Sequence, residues 1–263
     1  MGCCGWPHIL LMTDLVIADQ THARLTALAA RHRNARGVGM QLVGLFGSQA
    51  ENLLERLPDP VKTGLEGATA RALEGAMDVA SASRTSRLPD TSDWLTRAIT
   101  LGTGAVGGLG GLPSALAELP ITTTVLLRAI QGIAQEHGIN PQGSEGRAAC
   151  LQVFAAAGPL EADDGTDLSF LTLRLTLSGG AVSKAIAAVA PRLSVVLGQK
   201  LAAQSVPLLG AAAGAATNYV FTSYYQDMAR VQFGLMQISR ETGRPVEALV
   251  GDLRALLAAP ITR

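Results

Sequence analysis

Seven polar side chains sit among apolar stretches of this sequence where they could bind or act on a small molecule. They are Thr122, Arg128, Lys200, Asn218, Tyr219, Asp227 and Arg230. Charges placed among apolar helices are costly to bury, so they gather at sites or pair with one another. A solvated helix face or a structural ion pair accounts for the same residues without chemistry and is the commoner outcome. The familiar catalytic spacings are absent. There is no G-x-x-x-x-G-K-S/T phosphate loop, no H-E-x-x-H and no G-x-S-x-G. Gly102, Gly104 and Gly107 have G-x-G-x-x-G spacing, but no strand precedes them. His8, His22, His32 and His137 are scattered, without acidic neighbours at ligand spacing. The acidic segment from Glu161 to Asp167 lacks the alternation of a calcium loop. The residues thus assign no catalytic group, no metal and no cofactor.

The glycines carry a different physical meaning. Gly104 and Gly108, Gly107 and Gly111, and Gly210 and Gly214 are each four residues apart. On a helix that spacing makes a groove in which a second backbone approaches closely. A glycine inside a helix costs about 1 kcal/mol relative to alanine, so a cluster of them needs close packing in return. The expectation is that the helix near Gly104 to Gly111 packs tightly against the one bearing Gly210 and Gly214. A membrane-facing hairpin and a flexible loop are the alternatives.

Elements must be found that hold these residues. Uncharged runs extend from Ala98 to Ala117 and from Leu201 to Gln226. Each is long enough to cross a bilayer, but the Ala, Gly and Thr content makes both weakly hydrophobic. Charged residues are 16 % of the chain, well under the roughly 25 % of an average globular protein, so the surface is bland or does not all face water. Lys plus Arg and Asp plus Glu are balanced at 21 each, which argues against nucleic acid as a partner. Cys3, Cys4 and Cys150 form neither a disulfide framework nor a zinc spacing, in keeping with a reducing compartment. Met1-Gly2-Cys3-Cys4 has ingredients of dual acylation, but Trp6 stands where myristoylation calls for Ser or Thr. Residues 1–11 read as an over-extended start, with Met12 opening the first helix.

Periodicity is helical almost throughout. A first helix is expected to end near His32, with Arg31, Arg33 and Arg36 at its tail, suited to the helix dipole or to anionic lipid. A loose glycine-rich entry from Gly37 to Gly47 follows, then a short helix through Leu53 and Leu57. Further helices are expected from Pro60 to about Ala82, from Ser92 or Asp93 into the glycine tract, and from Pro120 to Gly138. Ser144 is the expected cap of the next one. Ser81 to Asp93 is the most polar connection. Leu168 to Leu177 alternates like a strand but is read as helix for want of a partner strand. Val220, Tyr224, Met228, Val231, Leu235 and Ile238 share an apolar face; Ser223, Asp227, Arg230, Gln237 and Glu241 share a polar one. Pro245 opens a last helix with Val246, Leu249, Val250, Leu253 and Leu257 inward. The class is all-α, a glycine-rich multi-helix bundle.

Three segments resemble the EcsC family: Gly107 to Gly138, Ser144 to Phe154, and Val206 to Phe233. Order and spacing agree from roughly Gln41 to the C-terminus. The domain division expected is therefore residues 1–36 as an N-terminal helix and 37–263 as an EcsC-like helical domain. The family takes its name from a protein encoded beside a bacterial ABC transporter. The resemblance implies a helical, glycine-rich, membrane-associated protein with no established reaction. The functional expectation is a non-enzymatic bacterial protein, cytoplasmic and peripheral to the inner membrane. Its partners would be membrane lipid, a membrane complex such as a transporter, or a second copy of itself. The alternative is an enzyme or small-ligand binder using the seven polar residues.

Overall fold

A computed structural model describes residues 7–46, 55, 57–85, 93–109, 111–156, 158–159, 168–172, 181–204 and 210–259. Among them are eight α-helices and no strand: α1 Pro7–Phe46, α2 Asp59–Thr85, α3 Asp93–Leu109, α4 Gly111–Glu136, α5 Ser144–Gln152, α6 Ala181–Gln204, α7 Gly210–Thr242 and α8 Val246–Ala258. The all-α expectation holds. Short 3₁₀ turns cover Val153–Ala155 and Ser169–Thr172. The alternating segment thus begins as a 3₁₀ turn, and its remainder lies outside the described residues. So do the expected short helix through Leu53 and most of the polar connection after Thr85.

α7 is the axis of the bundle. Its expected apolar face is buried, from Val220 through Ile238. Of the expected polar face, Asp227, Arg230 and Gln237 are half-buried and Glu241 is exposed, while Ser223 is buried. Buried polar residues also occur between the two faces, at Thr217, Asn218, Thr222, Gln226 and Gln232, where neighbouring helices pack on α7.

α3 lies antiparallel to α7, with Arg97 meeting Gln226, Thr100 meeting Thr222 and Gly104 meeting Gly214. α1 also runs antiparallel to it, through Arg24 on Glu241, Leu28 on Gly234 and Arg31 on Asp227. That long contact explains a departure from expectation. α1 does not stop near His32 but continues as helix through Gly37 to Phe46. Tertiary support outweighs the helix cost of glycine, about 1 kcal/mol each. Arg31 and Arg33 are accordingly inside the helix, and Arg33 donates to the carbonyls of Leu256 and Leu257 at the end of α8.

α4 likewise begins earlier than expected, at Gly111. Pro113 falls in its first turn, where a missing N–H costs nothing. Pro120 is interior, and the helix continues past it. α4 ends as its glycine foretells: Gly138 has φ +69°, its N–H bonds to the Gln135 carbonyl and that of Ile139 to Ala134. The cap of α5 is Gly143, with Ser144 the first helical residue. α8 buries Leu249, Val250 and Leu253, and packs Val246 and Leu257 against the same core.

The two uncharged runs meet. The end of α3, the start of α4, the end of α6 and the start of α7 come together at one end of the bundle. Facing that end, α3 is uncharged from Ala98 to Leu109 and α7 from Gly210 to Gln226. α4 from Gly111 to Leu127 contains one charge, Glu118, and α6 from Leu193 to Gln204 contains one, Lys200.

Candidate functional site

Those two charges pair with each other. Lys200 Nζ donates to Glu118 Oε1 at 3.1 Å and Oε2 at 3.2 Å, with only 1 % and 6 % of the two side chains exposed. Glu118 and Thr122 are one helical turn apart on α4 and so share a face. The Thr122 hydroxyl donates to Glu118 Oε1. Asn218 Nδ2, on α7, donates to the same oxygen at 2.7 Å and to the Thr100 carbonyl on α3 at 2.8 Å. Thr103 Oγ1 lies 3.3 Å from that amide, and the Thr222 hydroxyl donates to Thr100 Oγ1 at 3.0 Å. α4, α6 and α7 thus converge on one carboxylate, and α3 is tied in through Asn218.

Glycine makes the convergence possible. A Cβ built on Gly104 would collide with the Gly214 carbonyl oxygen and stand 2.7 Å from Asn218 Nδ2 and 2.8 Å from its Cβ. α3 and α7 therefore cross too closely for any side chain at position 104. Gly102, one turn position away, faces open space.

The electrostatics follow from burial and pairing. Burial pushes the Glu118 carboxyl up, but the Lys200 charge and the hydrogen bonds from Thr122, Asn218 and Lys200 outweigh it and hold the group below its ordinary 4.5. Burial pushes the Lys200 ammonium below its ordinary 10.5, and the Glu118 charge opposes that only in part. The resulting cluster is a charged pair in a dry setting, with both carboxylate oxygens engaged. It ties helices together and offers no free acid or base to a substrate.

Of the seven candidate residues, Thr122, Lys200 and Asn218 come together here. Tyr219 is next to Asn218 in sequence but points outward, with the Arg97 guanidinium 5.8 Å from its ring centre. Asp227 pairs with Arg31 at 2.7 Å. Arg128 and Arg230 are half-buried, respectively ten residues from Glu118 and twelve from Asn218, about 15 and 18 Å along their helices. Glu118 was the omission from that set. Its signal was available: it is the sole charge between Ala98 and Leu127, and a lone charge in such a run calls for a partner.

No His, Cys, Asp or Glu grouping suited to a metal ion occurs among the described residues. A cleft of about 710 Å³ lies elsewhere, between Thr21, His22 and Leu25 of α1 and Asp252 and Leu256 of α8, beside Arg244.

At this end Thr100, Glu118, Thr122, Lys200 and Asn218 are buried beside an apolar core that includes Leu119, Leu193, Leu197 and Leu201. The exposed large side chains of this end are Ile121 at 54 %, Val195 at 47 %, Ile99 at 38 % and Tyr219 at 37 %. Only Val79 of α2, among large apolar residues described as exposed, lies outside the four uncharged stretches. Fold and cluster together define an all-α bundle whose one uncharged end is closed over a buried ion pair. The chain belongs to the EcsC protein family, whose profile matches residues 83–235, more than half its length. The matched region holds the whole cluster and excludes all of α1 and α8 and nearly all of α2. No curated protein and no solved structure matches the chain.

Proposed function

We propose that this EcsC family protein is non-enzymatic and docks on the cytoplasmic face of a bacterial inner membrane, with its uncharged end in the lipid. One observation carries the reading: the end where α3, α4, α6 and α7 meet buries Glu118 and Lys200 as a pair and exposes Ile99, Ile121 and Val195. In water, exposed Ile99, Ile121 and Val195 gain nothing; at the boundary between head groups and acyl chains each becomes buried. Dimensions agree. Twelve residues separate Arg97 from the end of α3 at Leu109, about 18 Å of helix. One leaflet offers about 15 Å of hydrocarbon. Arg97 over Tyr219 stands at the rim, where aromatic rings and long cations suit head groups.

Vesicle flotation tests the reading. The full chain should float with vesicles of phosphatidylethanolamine and phosphatidylglycerol. Ile121→Glu and Ile99→Glu should each weaken partitioning about 10-fold or more, the equivalent of one lost apolar side chain, with an unchanged melting temperature. Protein that stays at the bottom of the gradient removes lipid as the partner. Association only with a membrane protein complex, or only with a second copy of the chain, would then be the surviving outcomes.

A further inference from the structure

α6 is built differently from the helices around it. From Val182 to Ala202 it is the one helix among the described residues long and apolar enough to cross a membrane by length and composition, with mean hydropathy 1.3. About two thirds of that stretch is buried against the protein itself. Pro191 interrupts it, and proline supplies no N–H to the carbonyl four residues earlier, that of Ala187. Such a point is where a helix bends. Before it, Ala185, Ile186, Val189 and Ala190 are buried. At it, Arg192 anchors to the Ala155 carbonyl and to Ser169 Oγ. Beyond it, Leu193, Val196, Leu197 and Leu201 turn inward, and Lys200 reaches Glu118.

The ties around Glu118 are unequal. α3, α4 and α7 hold one another through Asn218, Thr100, Thr222, Thr122 and the Gly104–Gly214 crossing, none of which involves α6. If Lys200 withdraws, Glu118 keeps its bonds from Thr122 and Asn218. Lys200 has two bonds, both to Glu118, and three N–H donors to place. Several buried groups on α7 are also without a partner among the described residues: Thr217 Oγ1, Asn218 Oδ1, Ser223 Oγ and Gln226 Nε2.

We propose that the half of α6 beyond Pro191 is a hinged arm, latched by Lys200 on Glu118, that swings out of the bundle at an anionic membrane. In water the arm stays closed, because opening would expose four apolar side chains. At the lipid boundary those side chains are buried again, and the Lys200 ammonium moves on its flexible stem to a head-group phosphate. The inference rests on the docking reading above.

The test places spin labels on Ala117→Cys in α4 and Val195→Cys in α6, both exposed, in the full chain with Cys3, Cys4 and Cys150 replaced by Ala. Double electron–electron resonance is recorded in buffer and on vesicles of phosphatidylethanolamine and phosphatidylglycerol, and flotation is scored on the same samples. The expected result is flotation with the label distance increased by about a helix diameter, roughly 10 Å. Pro191→Ala, which restores the helix ladder without touching the latch, should float while opening less. Flotation with an unchanged distance overturns the arm and leaves docking standing. Failure to float overturns both.

Discussion

Replacing Glu118 by Gln preserves its shape and removes the one charge that, among the described residues, faces Lys200 at hydrogen-bond distance. Breaking a buried pair in this way costs about 3–5 kcal/mol, and denaturant unfolding of Glu118→Gln should show a loss of that size. The double variant Glu118→Leu with Lys200→Met should recover most of it, because an apolar pair of similar volume carries no desolvation cost. A pair worth little over its apolar replacement has another role, and latching is the role assigned here. The same residues set the pH response. Glu118 has a folded value below its ordinary 4.5, so its contribution is present above 4.5 and is lost as pH falls through the lowered value. Lys200 has a folded value below 10.5, so its burial cost is present below that value and is relieved as pH rises toward 10.5. Stability measured against pH should fall more steeply on the acid side in the wild type than in the double variant. Parallel curves would mean the pair does not titrate with folding. Gly104 and Gly102 make a second contrast. Gly104→Ala places a methyl into the α7 backbone and should destabilise by about 1–3 kcal/mol. Gly102→Ala meets nothing within 4 Å and should stabilise by roughly 0.5–1 kcal/mol through helix propensity. Thermal melts of the two variants should move in opposite directions.

Each helix is defined as much by its neighbours as by its own residues. α1 carries glycines at 37, 39 and 44 and is still helical to Phe46, because it lies along α7. α4 tolerates Pro120 in its interior for the same kind of reason: Leu119, Thr122 and Thr123 on either side are buried. α6 is the exception, since its proline coincides with the change from anchored to latched halves. Pro191→Ala should therefore stabilise the isolated fold by roughly 1–3 kcal/mol, regaining a helix hydrogen bond. Urea unfolding checks this, and a loss of stability would mean that Pro191 is required for α6 to fit its neighbours and is no hinge.

The molecule as a whole carries no net charge, and its two ends differ in kind. At one end α1, α7 and α8 are joined by exposed or half-exposed ion pairs, Arg24 with Glu241 and Arg244 with Asp252. At the other, the described stretches 98–109, 111–127, 193–204 and 210–226 contain no exposed charge. Binding through the second end is apolar, and apolar contact is not screened by salt. Vesicle recovery should accordingly change little between ~0.1 M and ~1 M salt. A steep loss over that range would reassign binding to charged residues elsewhere on the chain.

The sequence by itself determined the helical class, the cap at Gly138, the inward face of α8 and the two uncharged runs. These are local properties, set by the 3.6-residue period and by the backbone freedom of glycine, and they need no knowledge of distant residues. It also singled out Thr122, Lys200 and Asn218 as polar groups in apolar surroundings. Only the tertiary structure decided that Lys200 meets Glu118, 82 residues away, and that Asp227 and Tyr219 belong to other contacts. Only it decided that α7 also buries polar residues, Thr217, Asn218, Thr222 and Gln226 among them. Residues that pair across such separations share no period, and a polar residue facing a neighbouring helix has the same local pattern as one facing water. The uncharged end arises from that ambiguity: the two runs legible in the sequence become one surface, with Ile99, Ile121 and Val195 exposed and Glu118 paired beneath, once packing brings them together.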